Sequence, residues 1–137
     1  MTILDQILNR TNKAPVPVPT PEWPELDGTL SVRRLSPTDR IALDLKAAEQ
    51  QATSGAAFVT FVATYCCTLA ADGSRAFADG DWKLLADDPG SGGAVERLFE
   101  AADELNVLTT AARERLKKNS ARAGDSESTS GSRGTSE

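Results

Sequence analysis

The stretch that decides the fold runs from residue 30 to residue 40 and reads Leu30-Ser31-Val32-Arg33-Arg34-Leu35-Ser36-Pro37-Thr38-Asp39-Arg40. Its first apolar residues, Leu30 and Val32, alternate with polar ones, and this period of two predicts a half-buried strand. Ser36 then predicts a helix N-cap, because its hydroxyl can accept a hydrogen bond from the first turn and Pro37 suits the first helical position. A strand and a capped helix therefore follow each other within one short stretch.

The proline-rich segment before this stretch is predicted to form a second strand. Val16-Pro17-Val18-Pro19 is extended by its prolines, and Asp27-Gly28 supplies a turn between the two strands. Because proline has no N–H to donate, this strand can pair only at an edge of a sheet. We therefore expect a small β-hairpin near the N-terminus, packed on helices.

Helical periodicity covers most of the remaining chain. It predicts helices over residues 3–8, 37–52, 56–71, 95–105 and 111–118, with a short helix around Trp82. In the helix that starts at Pro37, the predicted inner stripe is Ile41, Leu45 and Ala48. The helix over 56–71 is apolar on nearly all sides and is predicted to be central. The fold class expected is mainly α, a bundle of five or six helices.

The 137 residues support one domain followed by a tail. Residues 1–119 are predicted to form the helical domain. Residues 120–137 are rich in Ser, Gly and Thr and have no large apolar side chain, so they are predicted to be a disordered C-terminal tail. The segment Gly90-Ser91-Gly92-Gly93 is predicted to be a flexible joint ahead of the helix over 95–105.

Composition argues against several classes of function. The formal net charge of −5 and the sequence pI near 4.8 argue against a nucleic-acid binder, which needs positive charge to neutralise phosphates. No apolar run is long enough for a membrane span, and the first residues do not resemble a signal peptide. The only cysteines, Cys66 and Cys67, are adjacent and are predicted to be buried free thiols. We therefore expect a cytoplasmic protein that binds neither nucleic acid nor a membrane.

No motif predicts catalysis, a metal or a cofactor. The chain contains no histidine, which removes the usual general base and the commonest metal ligand. The stretch from Asp72 to Asp81 lacks the ligand spacing of a calcium loop, and the glycine-rich segment at residues 90–93 lacks the lysine of a phosphate-binding loop. We expect no catalytic residue, no metal site and no cofactor, so the chain is not expected to be an enzyme.

Six large side chains are candidates for contact with a partner, because aromatic and aliphatic anchors dominate interface energetics. For each of them the alternative is packing in the core. We expect the four candidates on the helix over 95–105, together with the helix over 3–8, to serve either self-association as a homo-oligomer or binding of another protein. The candidates are Trp23, Trp82, Val95, Leu98, Phe99 and Leu105.

Several motifs follow one another in a characteristic order along the chain. The first is the Pro/Val run that ends near Trp23, followed by Val32-Arg33-Arg34-Leu35 and Ser36-Pro37-Thr38-Asp39-Arg40. The next are Asp72-Gly73-Ser74-Arg75-Ala76-Phe77 and Asp79-Gly80-Asp81-Trp82, and the last is Leu116-Lys117-Lys118-Asn119. Taken in this order, the motifs resemble the tail assembly chaperones of long-tailed, siphovirus-type bacteriophages. The resemblance covers residues 16–119, and residues 90–93 and the polar tail depart from it.

The resemblance implies a non-catalytic virion assembly factor. Such chaperones bind the tape measure protein, keep its long helical chain soluble and help the major tail tube protein polymerise around it. A longer form made by programmed ribosomal frameshifting carries an extra domain that recruits the tube subunit. The implied location is the host cytoplasm, and the protein is not expected in the mature virion.

Two other non-catalytic functions are alternatives. One is another phage structural protein, such as a head-to-tail connector component, which would be part of purified particles. The other is a small acidic regulator or antitoxin that binds a basic partner.

Overall fold

The computed structural model describes residues 2–9 and 14–124, with side chains described up to residue 118. Over these residues the chain forms six α-helices and three short β-strands. The prediction of a mainly α fold with a small hairpin near the N-terminus is confirmed. In chain order the elements are α1 (Ile3–Leu8), β1 (Val16–Pro17), β2 (Leu30–Val32), α2 (Pro37–Glu49), α3 (Gly55–Cys66), β3 (Cys67–Leu69), α4 (Asp81–Ala86), α5 (Gly92–Asn106) and α6 (Thr110–Gly124).

The chain divides into two units, Met1–Asn106 and Val107–Glu137. The first unit contains the sheet and α1 to α5, and the second contains α6. Val107 has a φ of 54°, a left-handed conformation that cannot continue a helix, so α5 ends at Asn106. Within the second unit, Thr109 Oγ1 accepts a hydrogen bond from the Ala112 N–H at 3.2 Å and so caps the last helix.

The sheet has three strands in the order β1-β2-β3, all antiparallel. The predicted hairpin pairs Val16 with Val32 in the register of β1 and β2, and β3 adds on the other side of β2. All three residues of β2 are buried, so the expectation of a half-buried strand was wrong. The reason is that β2 is a central strand, and Ser31 O accepts a bond from the Thr68 hydroxyl at 3.4 Å.

The central helix α3 is shorter than predicted. It was expected to continue to residue 71, but it ends at Cys66 and the chain continues as β3. Arg33 donates hydrogen bonds to two carbonyls at this helix end. Its backbone N–H donates to Cys66 O at 3.0 Å, and its guanidinium donates to Tyr65 O. The prediction that this helix is central is confirmed, since every residue from Thr60 to Cys66 is buried.

The helix α2 begins as predicted but turns a different face to the core. The side chain of Ser36 accepts from the Asp39 N–H, and the Asp39 carboxylate accepts from the Ser36 N–H, a reciprocal capping box. Leu43 is buried, whereas Ile41 and Leu45 are 62% and 67% exposed. The predicted inner stripe is therefore wrong, because the narrow buried face is set by Leu43 and Ala47 one turn apart.

The glycine-rich segment at residues 90–93 is not a flexible joint. Ser91 is buried, and α5 begins directly after it at Gly92. Gly93 lies so close to Glu22 that an added Cβ would stand 2.9 Å from the Glu22 carboxyl carbon. The glycines here allow a loop and a helix start to pack closely, which sequence composition alone does not distinguish from a linker.

The last helix extends beyond its predicted end at residue 118. Its backbone is helical to Gly124, so the first residues of the predicted disordered tail, 120–124, are helical instead. Alanine and arginine at residues 121–123 are strong helix formers, and a helix once nucleated propagates at little cost. The rest of the predicted tail, residues 125–137, lies outside the described residues.

The first helix is capped at its N-terminus but has no buried side chain. Thr2 and Asp5 form a reciprocal capping box. All four large apolar residues of the helix are nevertheless exposed: Ile3 76%, Leu4 62%, Ile7 46% and Leu8 56%. No helix among the described residues is both long enough and apolar enough to cross a lipid bilayer.

Candidate functional site

The six candidate residues do not form one surface. Val95 and Leu98 are 6% and 0% exposed on the inner face of α5, and Trp82 is 8% exposed on α4. Side chains so buried offer a partner almost no area in this conformation. The other three, Trp23, Phe99 and Leu105, are half-buried. Whether any of the six contacts a partner stays a prediction.

Trp82 closes the core between α2, α3 and α4. Its indole Nε1–H donates to Gln50 Oε1 at 2.6 Å, and its ring meets Phe61 edge to face at 6.3 Å between centroids. Phe61 in turn stacks on Tyr65 at 5.8 Å. The same edge-to-face geometry joins Phe58 and Phe99 at 6.1 Å. These contacts give Trp82 and Phe99 structural roles within the chain.

Trp23 lies at the wall of a pocket, which we call the Trp23 pocket, with a volume of about 370 Å³. The loop between β1 and β2 forms one wall through three successive turns, in which Trp23 N–H donates to Thr20 O and Leu26 N–H donates to Trp23 O, both at 2.9 Å. Asp27 fastens this loop by accepting from the Thr20 N–H at 3.0 Å. The lining residues are Glu22, Trp23, Pro24, Glu25, Leu26, Phe77, Leu85, Asp88 and Ser91.

The opposite wall of the Trp23 pocket comes from the α4–α5 connection. Trp23 Nε1–H donates to Ser91 Oγ at 3.1 Å, and the Ser91 hydroxyl donates to the Asp88 carboxylate. Phe77 meets the Trp23 ring edge to face at 6.3 Å. Ser91 therefore both accepts and donates a hydrogen bond, and it fixes the position of the Trp23 indole.

The Trp23 pocket carries negative charge. Glu22 pairs with Arg97 at 3.1 Å, and hydrogen bonding to backbone N–H lowers the pKa of the Glu22 carboxyl, with Arg97 contributing in the same direction. The other two carboxylates that line the pocket, Glu25 and Asp88, have no salt bridge within the part of the chain that the structure describes. No lysine or arginine is among the lining residues.

A second concave surface, the β1–α5 groove, has a volume of about 600 Å³. Its lining includes apolar residues, among them Leu105, and four charged residues of both signs, Arg34, Arg97, Glu100 and Glu104. The free edge of β1 borders it. Since Val18 N–H donates to Leu30 O at 3.1 Å, the nitrogen of Pro17 faces away from β2 and has no hydrogen to donate.

The carboxyl end of α3 holds a cluster that the sequence did not reveal. Arg33 and Arg75 lie 4.7 and 5.0 Å from the centroid of the buried Tyr65 ring. Arg33 donates to Tyr65 O at 3.2 Å and Arg75 to Thr64 O at 3.5 Å, so both cations meet the negative end of the helix dipole. No sequence spacing signals this cluster, because its two arginines lie on separate loops.

Carboxylates neutralise the arginines of this cluster. Asp79 pairs with Arg75 at 2.9 Å and with Lys46 at 3.0 Å, and Asp39 pairs with Arg33 at 3.4 Å. The Arg75 guanidinium, followed by Lys46, lowers the pKa of the Asp79 carboxyl, and Asp79 raises the pKa of Lys46. Each cation of the cluster thus has a carboxylate partner, with Asp79 shared by Arg75 and Lys46, and the cluster holds the end of α3.

Two groups of exposed apolar side chains form surfaces that a partner can reach. The first is α1 with its four large residues, and the second is the pair Ile41 and Leu45 on α2, one helical turn apart. The sequence pattern indicated α1 as an apolar surface for a partner but predicted that Ile41 and Leu45 face the core. Helical periodicity gives the relative positions of apolar residues and does not say which stripe the tertiary fold covers.

The two cysteines are buried free thiols, as predicted. Burial raises the pKa of Cys66 to about 11 and that of Cys67 to about 12. Within residues 2–9 and 14–118, no group of three or more cysteine, aspartate or glutamate side chains is arranged to hold a metal ion. Comparison of the chain with protein-family models, with curated proteins and with solved structures found no match.

Proposed function

We propose that this protein is a tail assembly chaperone of a long-tailed bacteriophage, and that it binds the tape measure protein and keeps it soluble until tube assembly. The observation that carries the proposal is the exposure of α1, whose large apolar side chains are 46–76% accessible. Exposed apolar side chains at helical spacing are the kind of surface on which an amphipathic helix of another protein docks.

A second exposed pair supports the same proposal. Ile41 and Leu45 stand on a helix whose neighbouring outward residues, Asp44 and Glu49, are acidic and exposed. A partner segment with an apolar stripe and flanking basic residues would complement such a surface. The many helices expected in a tape measure protein present stripes of this kind, so one chaperone could cover several of them in turn.

The order of motifs from residue 16 to residue 119 supports the family assignment. By that resemblance, the major tail tube protein is the second partner, recruited through a longer form made by programmed frameshifting. The chaperone acts in the host cytoplasm, leaves before the virion is complete and makes or breaks no covalent bond.

Co-expression with the tape measure protein from the same genome tests the proposal. We expect the tape measure protein to be insoluble alone and soluble with this chain, and to be retained with it on an affinity tag. Leu4→Asp with Ile7→Asp, or Ile41→Asp with Leu45→Asp, should reduce the soluble fraction at least severalfold. Leu84→Asp is the matched control, since Leu84 is 78% exposed on α4, outside both groups.

Two results would contradict the proposal. One is a tape measure protein whose solubility does not change in the presence of the wild-type chain. The other is detection of this chain by mass spectrometry as a component of purified virions, which would favour the alternative of a structural connector protein.

A further inference from the structure

The Trp23 pocket has the composition of a site for a cationic side chain. A side chain that enters meets the ring of Trp23 and the ring of Phe77, which are held edge to face at 6.3 Å. The aliphatic side chains of Leu26 and Leu85 complete the apolar part of the lining. The volume of about 370 Å³ is at the lower end of the range of about 300–1,000 Å³ found for ligand pockets, and it suits one long side chain.

The charged residues that line the pocket favour a ligand with a positive charge. Arg97 offsets Glu22, but Glu25 and Asp88 have no salt bridge within the described chain, and no cation lines the pocket. Asp88 receives only the neutral hydroxyl of Ser91 among the side-chain hydrogen bonds described. The pocket therefore has an excess of negative charge beside an aromatic surface, and an anionic ligand would be repelled.

The geometry of the pocket is fixed before any ligand arrives. Ser91 is buried at the start of α5 and holds the Trp23 indole through its hydrogen bond at 3.1 Å, so the ring cannot swing into the space. The Gly93 position allows the Glu22 loop to approach α5 closely. A preformed wall reduces the entropy lost on binding.

We propose that the Trp23 pocket binds an arginine side chain presented by a segment of a partner protein. An arginine matches each wall: its guanidinium stacks on tryptophan and donates paired hydrogen bonds to carboxylates, and its methylene groups pack on aliphatic side chains. The occupant is a separate protein and not a second copy of this chain, because two copies that each carry a net charge of −5 repel each other, whereas a basic partner segment is attracted to the acidic pocket. This inference stands on the chemistry of the pocket and does not require the proposed chaperone function.

The test uses the full chain and two small probes of the same shape, butylguanidinium and its neutral analogue butylurea. The readout is the NMR resonance of the Trp23 indole N–H, assigned with the variant Trp82→Phe. We expect butylguanidinium to shift this resonance in a saturable way at about millimolar concentration, as for a fragment of this size, and butylurea to leave it unchanged. The Trp82 indole, bonded to Gln50, is an internal control that should not move.

Charge variants make the test specific. Glu25→Lys should abolish saturation by butylguanidinium, and Glu25→Gln should weaken it about two- to fivefold, the scale of an exposed ion pair. Glu49→Lys is the matched control, because Glu49 is exposed on α2 and does not line the pocket. Glu25 is itself exposed, so these variants should fold, which an unchanged Trp82 resonance verifies.

Three results would overturn the proposal. Equal shifts with butylguanidinium and butylurea would show that the pocket does not recognise the cation. Unchanged affinity in Glu25→Lys would place the binding elsewhere. Self-association that rises with concentration in sedimentation experiments and disappears in Glu25→Lys would make a second copy the occupant. None of these results depends on whether the tape measure protein binds, so the proposed function and this inference fail independently.

Discussion

Asn106 shows how much one residue at an element boundary does in this fold. Its Oδ1 accepts from the Leu35 N–H at 2.8 Å, and its Nδ2 donates to Arg33 O and to Ala102 O, each at 3.1 Å. One side chain thus closes the end of α5 and fixes the segment between β2 and α2. Local sequence does not indicate this role, because Leu35 and Arg33 lie 71 and 73 residues before Asn106 along the chain.

We predict that Asn106→Ala lowers the free energy of unfolding by about 1–3 kcal/mol, since it leaves partly buried backbone groups without partners. Urea denaturation followed by circular dichroism measures the change. Asn106→Asp keeps the acceptor for Leu35 but places a carboxylate against two carbonyls, so it should be no more stable than the alanine variant. A stability equal to wild type in both would contradict the bonding described.

Leu98 was a candidate for partner contact, and its complete burial leads to a prediction about stability. Leu98→Ala should cost about 2–5 kcal/mol, the range for large-to-small changes in a packed core. Leu84→Ala, at a leucine 78% exposed on α4, is the control and should change stability by less than about 0.5 kcal/mol. Similar effects of the two substitutions in a denaturant titration would contradict the burial of Leu98.

The thiols of Cys66 and Cys67 should be unreactive in the folded protein. Their pKa values are raised from 9.0 to about 11 and about 12, so almost no thiolate exists at pH 8, and thiolate is the form that attacks disulfide reagents. We expect a coloured disulfide reagent at pH 8 to modify both thiols in guanidinium chloride and neither within the same time in buffer. Rapid modification in buffer would contradict their burial.

At the scale of elements, the carboxyl end of α3 depends on the pairing of Asp79 with Arg75 and Lys46. Because the pKa of Asp79 is lowered from 3.8, its contribution to stability is present above that value and is lost as the pH falls through the lower, folded-state value. We predict that Asp79→Asn causes a small loss of stability at pH 7 that disappears in acid, once the pH has fallen below the lowered pKa of Asp79. Thermal unfolding of both proteins across this pH range measures the difference, and a loss that persists in acid would contradict the ion-pair origin.

Local sequence patterns predicted where helices begin better than they predicted which face of a helix is buried and where it ends. The capping boxes at Thr2 and Ser36 depend only on residues three apart, and both form. The end of α3 at Cys66 and the third strand depend on pairing with β2, which lies more than 30 residues earlier, and no local pattern contains that information. The sequence pattern also gave the wrong buried face for α2, because local residues do not show which face the rest of the fold covers.

Over the whole molecule, a core in α3 and α5 that includes several buried alanines coexists with large apolar residues at the surface. The first unit places Ala63, Ala94 and Ala102 at 0% exposure, while α1 has no buried side chain. The sequence indicated which residues were apolar enough for a core or an interface. It did not separate core residues from interface residues, because the same residue types serve both. It also did not reveal the Trp23 pocket, because this pocket combines residues from distant segments.

We predict that Leu4→Asp with Ile7→Asp leaves the free energy of unfolding within about 0.5 kcal/mol of wild type, as expected for exposed positions. The same variant should lose binding to the tape measure protein, which separates a surface role from a structural one. Denaturant titration and affinity capture measure the two effects on one protein sample. A large destabilisation would show that α1 packs against the chain in solution.

The prolines of β1 also limit how copies of this protein can meet. The outer side of β1 offers no N–H at Pro17, and on the far side of the sheet residues Ser74 and Ala76 bond to the outer side of β3. Neither margin can therefore serve as a template on which further strands stack into fibres. The exposed apolar helices and the protected sheet edges together favour association of this protein through side chains over association through added strands.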